Sequence, residues 1–448
     1  MHYLPKYGSL VACTLLVALA SCRVHDDQPA PETRFDTEGV KMLSSEVIND
    51  LHQLDTAHLT AAGEGITDPT AVTWYVENKK VGQGKTFVFS ERLPGSYEVI
   101  LRQGNKGLAK TITVRPRFTQ GMFLLNEGNY GNETGTLTYI DLSKQFVLDS
   151  AYQRINPKHK LGNVAEDLVF ANGKMYIVGQ RVENGAEGLL TIVKQESLER
   201  LHVLNDKALA ALTPTHIAVV GDLIYLRTDN GGIVVGSETG GFEKIPGTEK
   251  AKKMRMVTLG QRVYAISETN KIIVLQGKQL IATFTLPQGE LSSIAPTEDG
   301  NLWLAYQKPN TLAKLSSDPR ELKVLAAHAV SQSLDGGWGA ASIIVPYGDK
   351  IFFAEQNRKV YVHDFKDSST KLFFDFQQVD PGDFMKMYYN SLGVDAQGNV
   401  YFAGINDWGT YKEKNRFAVI IGKTQSLALT KDKMNPFPAG FFAIPTKK

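Results

Sequence analysis

The sequence predicts an all-β protein: a seven-bladed β-propeller preceded by a small β-sandwich. Two observations lead there. A turn followed by an aromatic-led strand recurs six times, as Asn172-Gly173-Lys174-Met175-Tyr176, Gly221-Asp222-Leu223-Ile224-Tyr225, Gly260-Gln261-Arg262-Val263-Tyr264, Asp299-Gly300-Asn301-Leu302-Trp303, Gly348-Asp349-Lys350-Ile351-Phe352 and Gln397-Gly398-Asn399-Val400-Tyr401. The aromatic positions are 39 or 49 residues apart, the length of a four-stranded blade, and blades must stack around an axis because each alone leaves two sheet faces bare. A seventh unit opens at Gly121-Met122-Phe123-Leu124-Leu125 without a first strand, and Gly440-Phe441-Phe442-Ala443-Ile444 at the far end is the strand that completes it. Such closure removes the unpaired edge that would otherwise template aggregation.

Length and composition agree. A chain of 448 residues suggests two to four domains, or one large repeat fold plus an accessory module. Its 42% hydrophobic and 21% charged residues exclude a disordered chain and a multi-span membrane protein. Forty-nine basic against 47 acidic residues leave a net +2, so no bulk field attracts nucleic acid. The only cysteines, Cys13 and Cys22, lie near the start, which excludes disulfide frameworks and thiol chemistry from the remainder.

The elements follow in order. Residues 1–21 read as a lipoprotein signal peptide: Lys6, an eleven-residue apolar run from Leu10 to Ala20 too short to span a bilayer, then Leu19-Ala20-Ser21-Cys22. This resembles a bacterial lipoprotein signal and implies lipidation of Cys22. Arg23-Val24-His25-Asp26-Asp27 resembles a short surface-export signal, and residues 22–40 form the anchor and flexible tether. Residues 41–116 have the dimensions of a seven-strand sandwich, with alternation at Trp74, Val76, Phe87, Phe89, Tyr97, Val99, Leu101, Ile112 and Val114. Gly82-Gln83-Gly84-Lys85-Thr86 mimics the end of a phosphate loop, but Lys79 replaces the required glycine, so it reads as a turn. Residues 117–448 form the propeller.

Two resemblances add to this reading. The strands around Val72–Val76 and Phe87–Phe89, with the turn at Leu93-Pro94-Gly95-Ser96-Tyr97, resemble PKD/immunoglobulin-like modules of extracellular bacterial proteins. Gly121-Met122-Phe123-Leu124-Leu125-Asn126-Glu127-Gly128-Asn129-Tyr130-Gly131, continuing to Gly135-Thr136-Leu137-Thr138-Tyr139-Ile140-Asp141, resembles the start of YncE-like propeller lipoproteins. That resemblance covers roughly Gly121 to Pro445. Its BtuG-type members imply capture of cobalamin at the outer-membrane surface for a TonB-dependent transporter. The resemblance is architectural and carries over no ligand-contact pattern residue by residue.

The functional expectation is therefore a cell-envelope lipoprotein, exposed at the outer-membrane surface, that binds a macrocyclic or other small nutrient, without a cofactor, a metal or nucleic acid. The ligand is expected on the face built by the loops joining second to third strands and fourth strands to the next blade: Glu127–Thr134, Gln153–Gly162, Gln180–Gly188, Ala327–Trp338, Gln377–Tyr389 and Ile405–Asn415. These carry Tyr130, Trp338, Tyr388, Tyr389, Trp408 and Tyr411, with Asn129, His159 and Arg181 beside them. Rings give rigid contact area, and amides and charges orient a ligand. His159, between Lys158 and Lys160, could ligate a metal centre within a bound cofactor or stand in a solvated basic loop. No His-Glu-x-x-His, Gly-x-Ser-x-Gly or calcium-loop spacing is present. The alternatives are a propeller hydrolase or lyase, with Glu166, Asp167 and His216 as an acid/base set near the axis, and an adhesion or scaffold protein.

Overall fold

The computed structural model describes residues 35–335, 344–355, 358–379, 386–405, 415–434 and 437–445. Cys22, Trp338, Trp408 and Tyr411 lie outside the described residues. The chain divides into two compact units. The first takes the chain up to Glu46, His58–Val88 and Tyr97–Ile112; the second takes Val47–Ala57, Phe89–Ser96 and everything from Thr113.

In the N-terminal region, one sheet joins Lys41–Ser44, Ala57–Ala62 and Thr86–Phe89, and the other includes Thr73–Val76, Lys79–Gln83, Gly95–Gln103 and Lys106–Arg115. Trp74, Val76, Phe89, Val99, Leu101, Ile112 and Val114 are buried, as strand alternation requires. Trp74 donates its indole N–H to the Gly84 carbonyl at 2.9 Å. Gly84 has φ +109°, a turn conformation that explains the glycine there.

The remainder is a β-propeller. Among the described residues, five antiparallel four-stranded sheets and one eight-stranded sheet, whose two halves meet through a single parallel pairing of Asn390 with Gly440, supply seven blades of four strands. Blade 1 pairs Pro438–Ala443 with Met122–Asn126, Thr136–Asp141 and Phe146–Leu148. Blade 2 is Asn163–Ala171, Lys174–Arg181, Leu190–Lys194 and Arg200–Leu204; blade 3 is Pro214–Val220, Leu223–Thr228, Gly232–Ser237 and Gly240–Lys244. Blade 4 is Val257–Leu259, Arg262–Ser267, Lys271–Gln276 and Gln279–Thr285; blade 5 is Glu290–Pro296, Leu302–Gln307, Thr311–Leu315 and Val324–Ala329. Blade 6 is Ile344–Tyr347, Lys350–Ala354, Lys359–Asp364 and Ser369–Asp375; blade 7 is Lys386–Val394, Val400–Ile405, Arg416–Ile420 and Leu427–Asp432. The last strand runs antiparallel to the first of the ring, with Phe441 opposite Leu124 and Ala443 opposite Met122.

The recurring aromatic has a physical reason. Side chains on a strand alternate between two faces, so each blade feeds two interfaces. Tyr176, Tyr225, Tyr264, Trp303, Phe352 and Tyr401 all point at a neighbouring blade and are buried there. In three cases the ring's polar tip reaches the next blade's outer turn: Tyr176 donates to Glu238, Tyr225 to the Gly277 carbonyl and Tyr264 to the Ser317 carbonyl. A tyrosine thus fills the apolar gap while its hydroxyl stays satisfied. Met122, Leu124, Ile140 and Phe441 of blade 1 pack on Tyr401, Ala403, Phe417 and Val419 of blade 7, which closes the ring.

Candidate ligand-binding face

The innermost strands begin at the face expected to bind, and several start irregularly. The ladder slips between Ala165 and Asp167, Pro214 and His216, Leu291 and Ser293, and Pro438 and Gly440. The extra residues of these bulges are Glu166, Thr215, Ser292 and Ala439, all buried. A bulge re-aims a side chain that regular pairing would hold in the sheet. In blade 7 the interruption runs from Met387 to Leu392 and releases Tyr388 and Tyr389 from the ladder. Val164 has φ +55° and Tyr389 φ +46°, left-handed conformations that a β-branched or bulky residue adopts only when its surroundings impose them.

These irregularities gather a buried ionic cluster. Glu127 follows the second strand of blade 1, and its Oε2 accepts the Tyr388 hydroxyl at 2.7 Å. Glu166 Oε1 accepts Lys253 Nζ at 2.5 Å, and Asp167 Oδ1 accepts Arg255 Nε at 3.1 Å. Asp167 also accepts the Ile217 backbone N–H at 3.1 Å. The two cations precede the first strand of blade 4, and each also meets an aromatic face: Lys253 lies 5.6 Å from the Tyr389 ring centre and Arg255 4.0 Å from that of Phe442.

Three buried carboxylates thus face two cations. Burial, reinforced by repulsion from Glu166, pushes Glu127 up to about 8, so it is mostly protonated at neutral pH. Burial also raises Glu166, against the pull of Lys253, and raises Asp167 to about 6, against Arg255 and the Ile217 N–H. His216 is buried beside these groups; desolvation and then Arg227, Lys253 and Arg255 hold it well below the usual imidazole range, so it stays neutral. Glu166 Oε2 and the Gln180 amide nitrogen are buried without a well-formed hydrogen bond. Further along the axis, a cavity of about 260 Å³ is lined by Arg255 and by apolar residues including Ile294, Ile344, Leu392 and Phe441.

The expected site residues fall into three settings. Tyr388 and Tyr389 are buried, ring centres 4.2 Å apart and edge to face, and form the wall of the cluster rather than an open surface. Tyr130 is 62% exposed, with the Arg181 guanidinium 4.8 Å from its ring centre and hydrogen-bonded to its hydroxyl. Asn129 shapes the same loop: its carbonyl accepts from Asn132, Glu133 and the Asn163 amide. His159 sits in an ionic group, its Nδ1 2.7 Å from Glu187 and 2.6 Å from Arg200. Glu127, Lys253 and Arg255 were not singled out by sequence reasoning. A weak signal for the cations is the run Lys252-Lys253-Met254-Arg255 just ahead of an innermost strand.

A search of curated proteins finds no match. Among solved structures, a quinoprotein alcohol dehydrogenase-like protein from Bacteroides thetaiotaomicron is similar, at 15% identity and TM-score 0.59, over 91% of this chain and 100% of that one. A functionally unknown protein from Desulfotomaculum acetoxidans matches at 12% identity and TM-score 0.48, over 72% of this chain and 98% of that one. At 15% identity the likeness to the first is one of fold. The family profile described as a domain of unknown function, DUF5074, matches residues 120–442, and the chain belongs to that family.

Proposed function

We propose that this chain is a lipid-anchored envelope protein that binds a small molecule on the Tyr130 face of the propeller and passes it to an outer-membrane TonB-dependent transporter. A corrinoid or related macrocycle is the first candidate. The observation that carries the reading is Tyr130: a large ring left mostly exposed on this face and held by the Arg181 guanidinium. A ring so held offers a flat ligand apolar area at little further entropic cost. The resemblance to YncE-like and BtuG-type lipoproteins, the PKD-like N-terminal module and the lipoprotein-like start support the same assignment. The carboxylates of the cluster are committed to ion pairs or a tyrosine hydroxyl, which favours binding over catalysis.

A hydrolase or lyase is the second reading, favoured by one observation. Glu127 carries a proton at neutral pH next to another carboxylate, as a general acid requires. A thermal-shift screen of the chain from residue 23 against corrinoids, haem, sugars and peptides tests the choice. A corrinoid or haem hit confirmed by calorimetry supports capture. Turnover of a glycan or peptide, abolished in Glu127→Gln, replaces capture with the enzyme.

A further inference from the structure

Two histidines face each other on the outer part of the ring, away from the cluster at the axis. His328 stands on the outermost strand of blade 5 and His363 on the third strand of blade 6. His328 Nδ1 lies 2.9 Å from His363 Nε2. The far nitrogen of each ring meets a hydroxyl: His363 Nδ1 is 2.9 Å from Thr370 Oγ1, and His328 Nε2 is 3.3 Å from Ser368 Oγ. Phe365 fixes both rings, stacking on His328 at 4.4 Å and meeting His363 edge-on at 5.0 Å. His363 is buried, while His328 is half-buried on a strand whose neighbouring residues are exposed.

This arrangement has the parts of a metal site. Two imidazole nitrogens bound side by side to one ion at ~2.05 Å and a right angle lie ~2.9 Å apart, whereas a tetrahedral ion spreads them to ~3.3 Å. The hydroxyls behind the rings supply the outer hydrogen bonds that orient ligating histidines. Ligation needs lone pairs on both facing nitrogens, so the proton now between them must sit on a far nitrogen. Ser368 and Thr370 can each accept or donate, so that tautomer change gives up only the hydrogen bond between the two rings, keeps those to the hydroxyls and releases no proton.

We propose that His328 and His363 form a two-nitrogen site for a divalent ion of tetragonal preference, the cupric ion foremost. Among the described residues no group of three or more histidines, cysteines or carboxylates could hold a metal, so water completes the coordination. Nothing in the site depends on the ligand bound at the propeller's face.

The test is titration of the full-length protein with copper(II) sulfate, followed by calorimetry and electron paramagnetic resonance, beside His328→Gln and His363→Gln. The sequence contains nine histidines, so the comparison with the variants identifies the site. The wild type is expected to show one copper site with two-nitrogen coupling that is at least tenfold weaker or absent in His328→Gln. Zinc(II) is expected to bind this site more weakly than copper. Should His363→Gln fail to fold, His328→Gln decides the matter, since that side chain is half-buried on an outer strand. Identical stoichiometry, affinity and spectra in wild type and His328→Gln would overturn the proposal, as would zinc binding as tight as copper.

Discussion

Tyr388 donates its hydroxyl to Glu127 Oε2 at 2.7 Å, joining residues 261 positions apart. The bond links blade 7 to blade 1, the blade in which strand pairing between Pro438–Ala443 and Met122–Asn126 holds the ring shut. Around it, the Glu127 N–H donates to the Phe437 carbonyl at 2.7 Å and the Ser391 hydroxyl to the Pro438 carbonyl at 2.5 Å. The closure of the propeller and one wall of the candidate site are therefore the same structure, and damage to either is expected to reach the other.

The seam sets the first expected outcome. Phe441 is buried between blades 1 and 7, so Phe441→Ala should cost about 3–5 kcal/mol. Truncation after Phe437 removes the whole innermost strand of blade 1 and should abolish the cooperative melt of the propeller. Calorimetric melting of both proteins checks this; a truncated protein with unchanged stability contradicts it.

Stability should depend on pH through Glu127. Its folded value of about 8 lies above the ordinary 4.5, so the folded protein keeps a proton that the unfolded chain releases between those limits. The contribution is intact below 4.5 and is lost as pH rises towards 8, by up to about 1.4 kcal/mol per pH unit. Asp167, raised to about 6, acts in the same sense at lower pH. Urea unfolding at pH 5, 6.5 and 8 should show stability falling in the wild type and a flatter profile in Glu127→Gln.

Lys253→Met leaves the carboxylate of Glu166 buried without its counter-ion, and the expected loss is about 3 kcal/mol. Lys253→Met/Glu166→Gln should recover more than half of it. If the double variant is as unstable as the sum of its parts, the pair is not coupled.

Cys22→Ala should move the protein from the membrane fraction to the soluble fraction, and the mature wild-type mass should begin at a lipidated Cys22. Fractionation with intact-mass analysis reads both.

Much of the propeller is legible in the sequence because the same physical demand is repeated. Every blade needs a large residue early in its second strand to fill the gap to its neighbour, and Tyr176, Tyr225, Tyr264, Trp303, Phe352 and Tyr401 answer it at near-regular spacing. The terminal strand is legible because one unit lacks a partner that Gly440–Ile444 supplies. The site is far less so. Glu166 reaches the cluster through a one-residue bulge, Tyr389 through a left-handed backbone, and Lys253 meets Glu166 across 87 positions. No periodicity records such departures from regular pairing. For the same reason Tyr388 and Tyr389, read as open loop aromatics, are enclosed, while Tyr130 on a plain loop stays accessible.

The most direct test of ligand capture on this face is calorimetric titration of the ligand found by screening into wild type and Tyr130→Ala/Arg181→Ala. Tyr130 is exposed, so the variant should fold with stability within about 0.5 kcal/mol of wild type. Binding is expected to weaken roughly tenfold or more, from loss of the aromatic contact and its cation. A correctly folded double variant with unchanged affinity would contradict it and place the ligand elsewhere on the molecule.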